Sequence, residues 1–588
     1  MKKSAIALAI LSLVLCSCGE ESITVTDTPI ATGGASSIGP DDIINEADFN
    51  RTVTITWSGS SATVSGDTEG FVSINGSRVT VDSRSDTTKV VKYILTGSST
   101  DGSFKLYSLR KQALVLSDLT LSNSGGAAIN NQSGKRTFVV LEGASSLADG
   151  PVNASGDYPD AVEDEDLKAA FFSEGQLVFS GSGTLSVTSQ GKAGITSDDY
   201  LRFLGTHAVN VKSTSGHALR GKDAVQIEDG TFTLSTTAAG KKGISSEGDV
   251  SILGGELSIS VSGGVLSETS TTGTELSSAA GIKAGGTFTM SGGAVSITSS
   301  GQGGKGISGD GAGIFSGGTL DVTVTGANYG SSSGGFGGGG GGFGGRPGGP
   351  GSSSSTSSKG AKGIKFDGDI TMSGGTVNVT AQSHEAFESK GAMTVSGGSL
   401  YAYSAGDDAI NRGGSDTTTD MTLSGGFVCG WSAGNDGIDS NGNLYIQGAT
   451  VYAVCTKGSP EVAVDANSEA RKALYVKSGT LVSIGGLESG SSLTGSAYST
   501  SSWAKSSMHV LCDSSGSPVL AFKTPASSSN GTMVLYCGGS ALTLESGVTV
   551  DDGTLLWNGN GYEAPVFSGG SQVSLSSYSG SGGGGMFR

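Results

Sequence analysis

The sequence predicts an all-β chain whose body is a right-handed parallel β-helix closed by a β-rich C-terminal cap. Three observations predict it: a unit that recurs along most of the chain, short alternating strands inside each unit, and glycine pairs between those strands. The unit reads as a small residue, an apolar marker, a polar step, an alternating strand, Gly-Gly and a second alternating strand. Lys362-Gly363-Ile364 followed by Asp369 through Val379 is one copy, and Lys242-Gly243-Ile244 followed by Asp249 through Ile259 is another. The marker recurs at Ile195, Leu219, Ile244, Ile282, Ile307, Ile364, Phe387, Ile410 and Ile438, with earlier copies at Ile129 and Phe171. Most gaps are 23 to 25 residues, and the longer ones contain insertions. Alternation gives each strand one inward face, yet strands of about four or five residues are too short to make a sheet within one unit. Stacking the units, with about 4.8 Å between paired strands, supplies the missing partners. Leucine-rich repeats share the period but require a Leu and Asn ladder that this chain lacks.

Taken in order, residues 1–18 have the layout of an export signal: Lys2 and Lys3, an apolar run from Ala5 to Leu15, then Cys18 after the small Ser17. Leu15 three places before Cys18 resembles the lipobox of bacterial lipoproteins, so Cys18 is the predicted lipidated residue and the cell envelope the expected location: anchored to the outer membrane, surface-exposed, touching the membrane through the lipid alone. Residues 19–47 are rich in Ser, Thr, Gly, Asp and Glu without apolar period, the composition of a flexible tether. Residues 48–460 form the repeat body, opened by alternating segments at Thr52–Thr56 and Phe71–Val81. The Gly-Gly pairs mark corners that require positive φ. Residues 328–359 are a Gly/Ser-rich loop predicted to be disordered, with no Gly-Lys-Ser/Thr element that would suggest phosphate binding. Residues 461–567, where the period fades but alternation continues, are the predicted cap, and 568–588 a loose Gly/Ser-rich tail.

Composition narrows the function. A chain with 101 glycines is not helix-rich, and a formal net charge of -18 repels nucleic acid. Cys429, Cys455, Cys512 and Cys537 have no C-x-x-C spacing and so no zinc-site pattern. In an oxidising compartment they allow one or two disulfides, with Cys512–Cys537 the preferred pair.

Insertions point to a binding edge. Residues 143–168, 264–279 and 328–359 all fall just ahead of a marker, so all three border the same edge. Beside it, the residue two places before each marker reads Ala193, His217, Lys242, Ala280, Lys305, Lys362, Glu385, Asp408 and Asp436. This row is basic in the middle and acidic at its C-terminal end, and it brings Lys362 within reach of Glu385. One reading is a solvated row with a weak ion pair. The other is a groove in which Lys242, Lys305 and Lys362 meet uronate carboxylates or sulfate while carboxylates hold calcium. Calcium takes six to eight oxygen ligands, and the acidic clusters are Glu163 through Asp166 (Glu163, Asp164 and Asp166), Asp407 with Asp408, and Asp436 with Asp439. Asp198 and Asp199 fit a turn role. Tyr401, Tyr403 and Trp431 alternate outward, where they would either stack on sugar rings or pack beneath the C-terminal region.

The run Asp157-Tyr158-Pro159-Asp160, Glu163-Asp164-Glu165-Asp166, Ala169-Ala170-Phe171, then Gln176 through Val187 closely resembles bacterial extracellular carbohydrate-binding β-helix proteins. The likeness covers about residues 50 to 455. It implies binding of acidic polysaccharide, including polygalacturonate, on a fold similar to that of calcium-dependent pectate lyases; because no residue breaks the repeat as a dedicated catalytic site would, the expected protein is a monomer that binds without catalysis. Family members often carry Asp before the Gly-Ile marker, where this chain has Lys242, Lys305 and Lys362; that departure confines ion sites to the two ends of the repeats. Two other classes stay open: a calcium-dependent polysaccharide lyase using Lys305 or Lys362 beside Asp408, and a structural adhesin.

Overall fold

The computed structural model describes residues 40–270, 273–330, 358–529 and 531–580. Cys18 with its leader, residues 19–39 of the tether, 331–357 of the Gly/Ser loop and the end of the tail lie outside the described residues. Among the described residues the helical pieces are four 3₁₀ turns of three residues each, and none is long and apolar enough to cross a membrane. The chain is all-β.

The marker defines one sheet. Ile129 pairs with Phe171, Phe171 with Ile195, and the parallel register then runs through Leu219, Ile244, Ile282, Ile307, Ile364, Phe387, Ile410 and Ile438. Every one of these markers is fully buried. Insertions do not disturb it, because they leave the chain between strands: residues Leu266–Ser270 and Gly273–Ser277 fold out as a two-stranded hairpin while Ile244 still pairs with Ile282.

The two alternating strands of each unit make two further parallel ladders. Leu201, Val225 and Val250 align in one, and Val209, Phe232, Leu257, Val295 and Leu320 in the other. Their inward residues meet the markers in one continuous apolar core. Phe179 and Phe203 stack at 4.7 Å, and Phe232 meets Phe203 edge-on at 5.0 Å. The second glycine of each pair supplies the left-handed corner, as at Gly375 with φ of 80°. The first allows close approach: a Cβ on Gly374 would lie 2.5 Å from the Ser316 carbonyl oxygen of the preceding unit.

The ladder does not stop where the sequence period fades. Ile438 bridges to Val464 and Val464 to Leu487, while Leu474–Ile484 pairs in parallel with Leu444–Cys455. A parallel ladder must end on an unpaired edge, and here Met533–Cys537 covers it in antiparallel register. Beyond it, Met508–Cys512, Pro518–Lys523, Thr543–Leu556 and Gly561–Gln572 form a small closed antiparallel barrel. The strand Gly561–Gln572 runs into the segment expected to be a loose tail.

The disulfide expectation fails. Cys429, Cys455, Cys512 and Cys537 are all free. Cys512 pairs with Thr543 inside the barrel, whereas Cys537 faces Thr480 on the closing edge, so the preferred partners belong to different sheets.

Candidate functional site

The outer face of the marker sheet carries two parallel rows of side chains. One is the row two places before each marker, identified in the sequence. The other is the residue just after it: Thr196, Arg220, Ser245, Lys283, Ser308, Lys365, Glu388, Asn411 and Asp439. Asp465 and Glu488 continue that second row, following Val464 and Leu487. Sequence reasoning missed it, although the same alternation that buries the marker turns its successor outward. Both rows pass from cations to carboxylates in the same direction.

The three lysines of the first row stand in different environments. Lys242 donates to the Gly240 carbonyl at 2.6 Å and to Ser277 Oγ at 2.9 Å, so the hairpin insertion holds it. Lys362 is ion-paired with Glu385 at 3.2 Å and with the fully buried Glu388. Burial alone would lower its pKa, but the two carboxylates raise it, so its proton is firmly held. Lys305 has no side-chain partner among the described residues, and burial, with Lys365, Lys359 and Lys362 nearby, brings it down to about 8.

Next along the row, His384 sits between Glu385 and Asp407, with Nδ1 2.9 Å from Asp407 Oδ2. Burial opposes its charge, yet the bonds to Asp407 and Glu385 raise its pKa to about 9. Glu385, despite its own burial, is held at about 2 by His384 and Lys362. This group is neutralised from within by cations. Asp407 belongs to it through His384, while still acting on its neighbour Asp408.

The following units differ. One carboxylate oxygen from each of Asp436, Asp439 and Asp465 lies within 4.8 Å of the others. Burial first, and the neighbouring carboxylates after it, push Asp465 up to about 8, Asp436 to about 7 and Asp439 to about 6. Asp408 beside them is raised to about 9 by burial and then by Asp439, Asp407 and Asp436. Asn411 donates through Nδ2 to Asp408 Oδ2 at 2.8 Å, and its buried Oδ1 accepts nothing. Crowded, buried oxygen donors with raised pKa values and an orphaned amide oxygen suit a hard divalent cation, whose charge would remove the repulsion. These are the residues able to hold one.

The N-terminal acidic run is dispersed. Glu165 turns to Lys105, 2.7 Å away, and to the Tyr107 hydroxyl. Asp166 pairs with Lys168 at 2.5 Å and joins Glu174 and Asp198 in a second acidic group, while Glu163 and Asp164 are exposed outside it. The expected cluster of Glu163, Asp164 and Asp166 is therefore corrected: the segment is pinned by ion pairs pointing in different directions. Asp198, read as a turn residue, also bridges Lys168 and Arg220.

The aromatic row takes the second of its two expected roles. Tyr401, Cys429, Tyr452 and Val482 align in register and are buried against Leu511, Phe522 and Trp557 of the C-terminal region. Tyr403 and Trp431 are half-buried against the same cluster, and the Tyr452 hydroxyl donates to the Lys523 carbonyl at 2.8 Å. Tyr401, Tyr403 and Trp431 are thus not an exposed sugar platform, because the barrel region occupies their face.

The fold and this face define an all-β repeat protein whose parallel ladders array charged side chains along successive units. The chain belongs to the carbohydrate-binding domain-containing family, whose model matches residues 75–247 and 349–501, more than half of its length. No curated protein matches the sequence. Among solved structures, a gadolinium derivative of the polysaccharide lyase-like protein from C. thermocellum is similar at 19% identity, over 45% of this chain and 96% of its own, with a TM-score of 0.34.

Proposed function

We propose that the repeat region is a right-handed parallel β-helix that binds acidic, uronate-bearing polysaccharide without cleaving it, along the outer face of the marker sheet. The observation that carries this reading is the pair of in-register outward rows running from cations to buried carboxylates. Lys305, the unpaired ammonium of the row, meets sugar carboxylates. Asp436, Asp439 and Asp465 would hold calcium, and its positive charge would let the protein's carboxylates face those of the glycan, which two anions cannot do alone. The lipobox-like residues before Cys18 support a position at the cell surface, where such polymers are met.

The catalytic alternative needs a base beside the metal. Lys362, the nearer lysine, is held protonated by Glu385 and Glu388. Lys305 lies three repeats from Asp408, about 14 Å at the usual strand spacing, which is too far for both to act on one sugar. A glycan array with and without EDTA tests the proposal. Acidic glycans are expected to be retained, with retention lowered by EDTA and by Lys305→Ala; the release of an ultraviolet-absorbing unsaturated product would establish a lyase, and silence on acidic glycans would remove the reading altogether.

A further inference from the structure

A second feature of the same face lies at its opposite end. Around the markers Ile195 and Leu219 is a cavity of about 350 Å³, at the lower end of small-molecule sites, which start near 300 Å³. Its floor is made of small residues, Gly191, Ala193 and Gly216, and its rim carries Lys168, Lys192, Arg220 and Lys241. Two of these cations are spoken for: Lys168 pairs with Asp166 and Asp198, and Arg220 with Asp198 and Glu247. Among the described residues, no carboxylate pairs with Lys192 or Lys241; Lys192 lies over the Tyr158 ring at 5.3 Å.

Two neutral donors complete the cavity. Thr196 is fully buried and its hydroxyl has no hydrogen-bond partner. Such an orphan costs free energy unless something supplies the missing bond. His217 accepts the Lys242 backbone N–H on Nδ1 at 3.1 Å, which places its own proton on Nε2 and makes that nitrogen a donor. Burial, reinforced by Lys242, Lys241 and Arg220, lowers its pKa to about 3, so the ring keeps this tautomer across the physiological range.

The segment that distinguishes the sequence is anchored behind the cavity lining. Asp149 accepts the backbone N–H groups of Gln190, Gly191 and Lys192, and also the Tyr158 hydroxyl at 2.5 Å. Tyr158 packs against Gly191, where a Cβ would lie 2.4 Å from its ring. The Asp157-Tyr158-Pro159-Asp160 insertion is thereby clamped beside the cavity and delivers Lys168 to its rim.

Building on the acidic-glycan reading, we propose that this cavity is a terminal subsite holding one uronate residue, its carboxylate between Lys192 and Lys241 and its ring oxygens bonded to Thr196 and His217. Unpaired ammonium groups beside an unmet hydroxyl and a fixed imidazole donor call for an anionic ligand rich in oxygen acceptors, which a uronate is and a neutral sugar is not.

Calorimetric titration of the full chain with digalacturonate, with galactobiose as the neutral control, tests the subsite separately from polymer retention. Thr196→Val keeps the shape and removes only the hydroxyl, and Lys241→Gln removes a surface charge; each is expected to weaken digalacturonate binding about tenfold, with Thr196→Val leaving thermal stability unchanged or higher. Binding of digalacturonate undiminished in both variants overturns the subsite, as does a wild-type chain that retains polygalacturonate but ignores digalacturonate or takes galactobiose equally well. Loss of polymer retention with digalacturonate binding intact and sensitive to both substitutions leaves the subsite standing and removes the extended-face reading.

Discussion

At the scale of single residues, the acidic end of the face is the least comfortable part of the molecule. Asp408 is 4% exposed, with Asp436, Asp439 and Asp407 all acting on it. Its pKa of about 9 lies above the value near 4 that an unfolded aspartate has. The folded state therefore binds more protons than the unfolded chain from about pH 4 to pH 9, and stability falls as pH rises through that window. Asp465, Asp436 and Asp439, raised to about 8, 7 and 6, act in the same direction. In the calcium-free protein Tm is expected to fall between pH 5 and pH 9. Asp408→Asn is expected to raise it at pH 8 by on the order of 2 °C and to flatten the slope, and calcium to do the same for the unaltered chain. Calorimetry in EDTA across that range is the measurement, and a Tm that climbs with pH would contradict the assignment of these groups.

At the scale of the elements, the marker strands were legible because one residue type at one spacing both fills the core and sets the register. Ile195 through Ile438 align as the sequence spacing requires, even across the hairpin before Ile282. The continuation through Val464 and Leu487 was not legible, because these differ from the Ile that fills most marker positions and irregular segments separate them. The fate of the aromatic row depended on the fold of residues some seventy positions away, such as Phe522 against Tyr452, which local alternation cannot report. Within the candidate site, the row two places before each marker was readable for the same reason as the core, whereas the pairing of Lys362 with Glu388 required knowing which outward rows adjoin. If each marker holds its unit by burial, Ile307→Ala, in the middle of the ladder, is expected to cost about 2–5 kcal/mol of stability. Denaturant unfolding gives this number; a loss below about 1 kcal/mol would mean that the units are held by their backbone ladders and that the marker is incidental.

At the scale of the whole molecule, the proposed reading gives the two ends of the face different work on one polymer. From Ile195 to Ile438 the marker sheet advances eight strand spacings, about 38 Å at 4.8 Å each. An acidic chain laid along it meets the cavity of Thr196 and His217 at one end, Lys305 between, and the Asp436 group at the other. Linking these contacts through one ligand makes the later ones intramolecular, so affinity should rise with length as a step and not in proportion to the number of sugars. Oligogalacturonates too short to span about 38 Å are expected to bind with the weak affinity of a single subsite and to be insensitive to EDTA when they occupy the cavity. Those long enough to reach Asp439 and Asp465 are expected to bind on the order of 100-fold tighter, with that increment removed by EDTA and by Asp465→Asn. A series of defined lengths titrated with and without EDTA reads both effects. A smooth increase with length that EDTA does not alter would place all of the binding on the basic stretch and leave the carboxylates at the far end without a part in it.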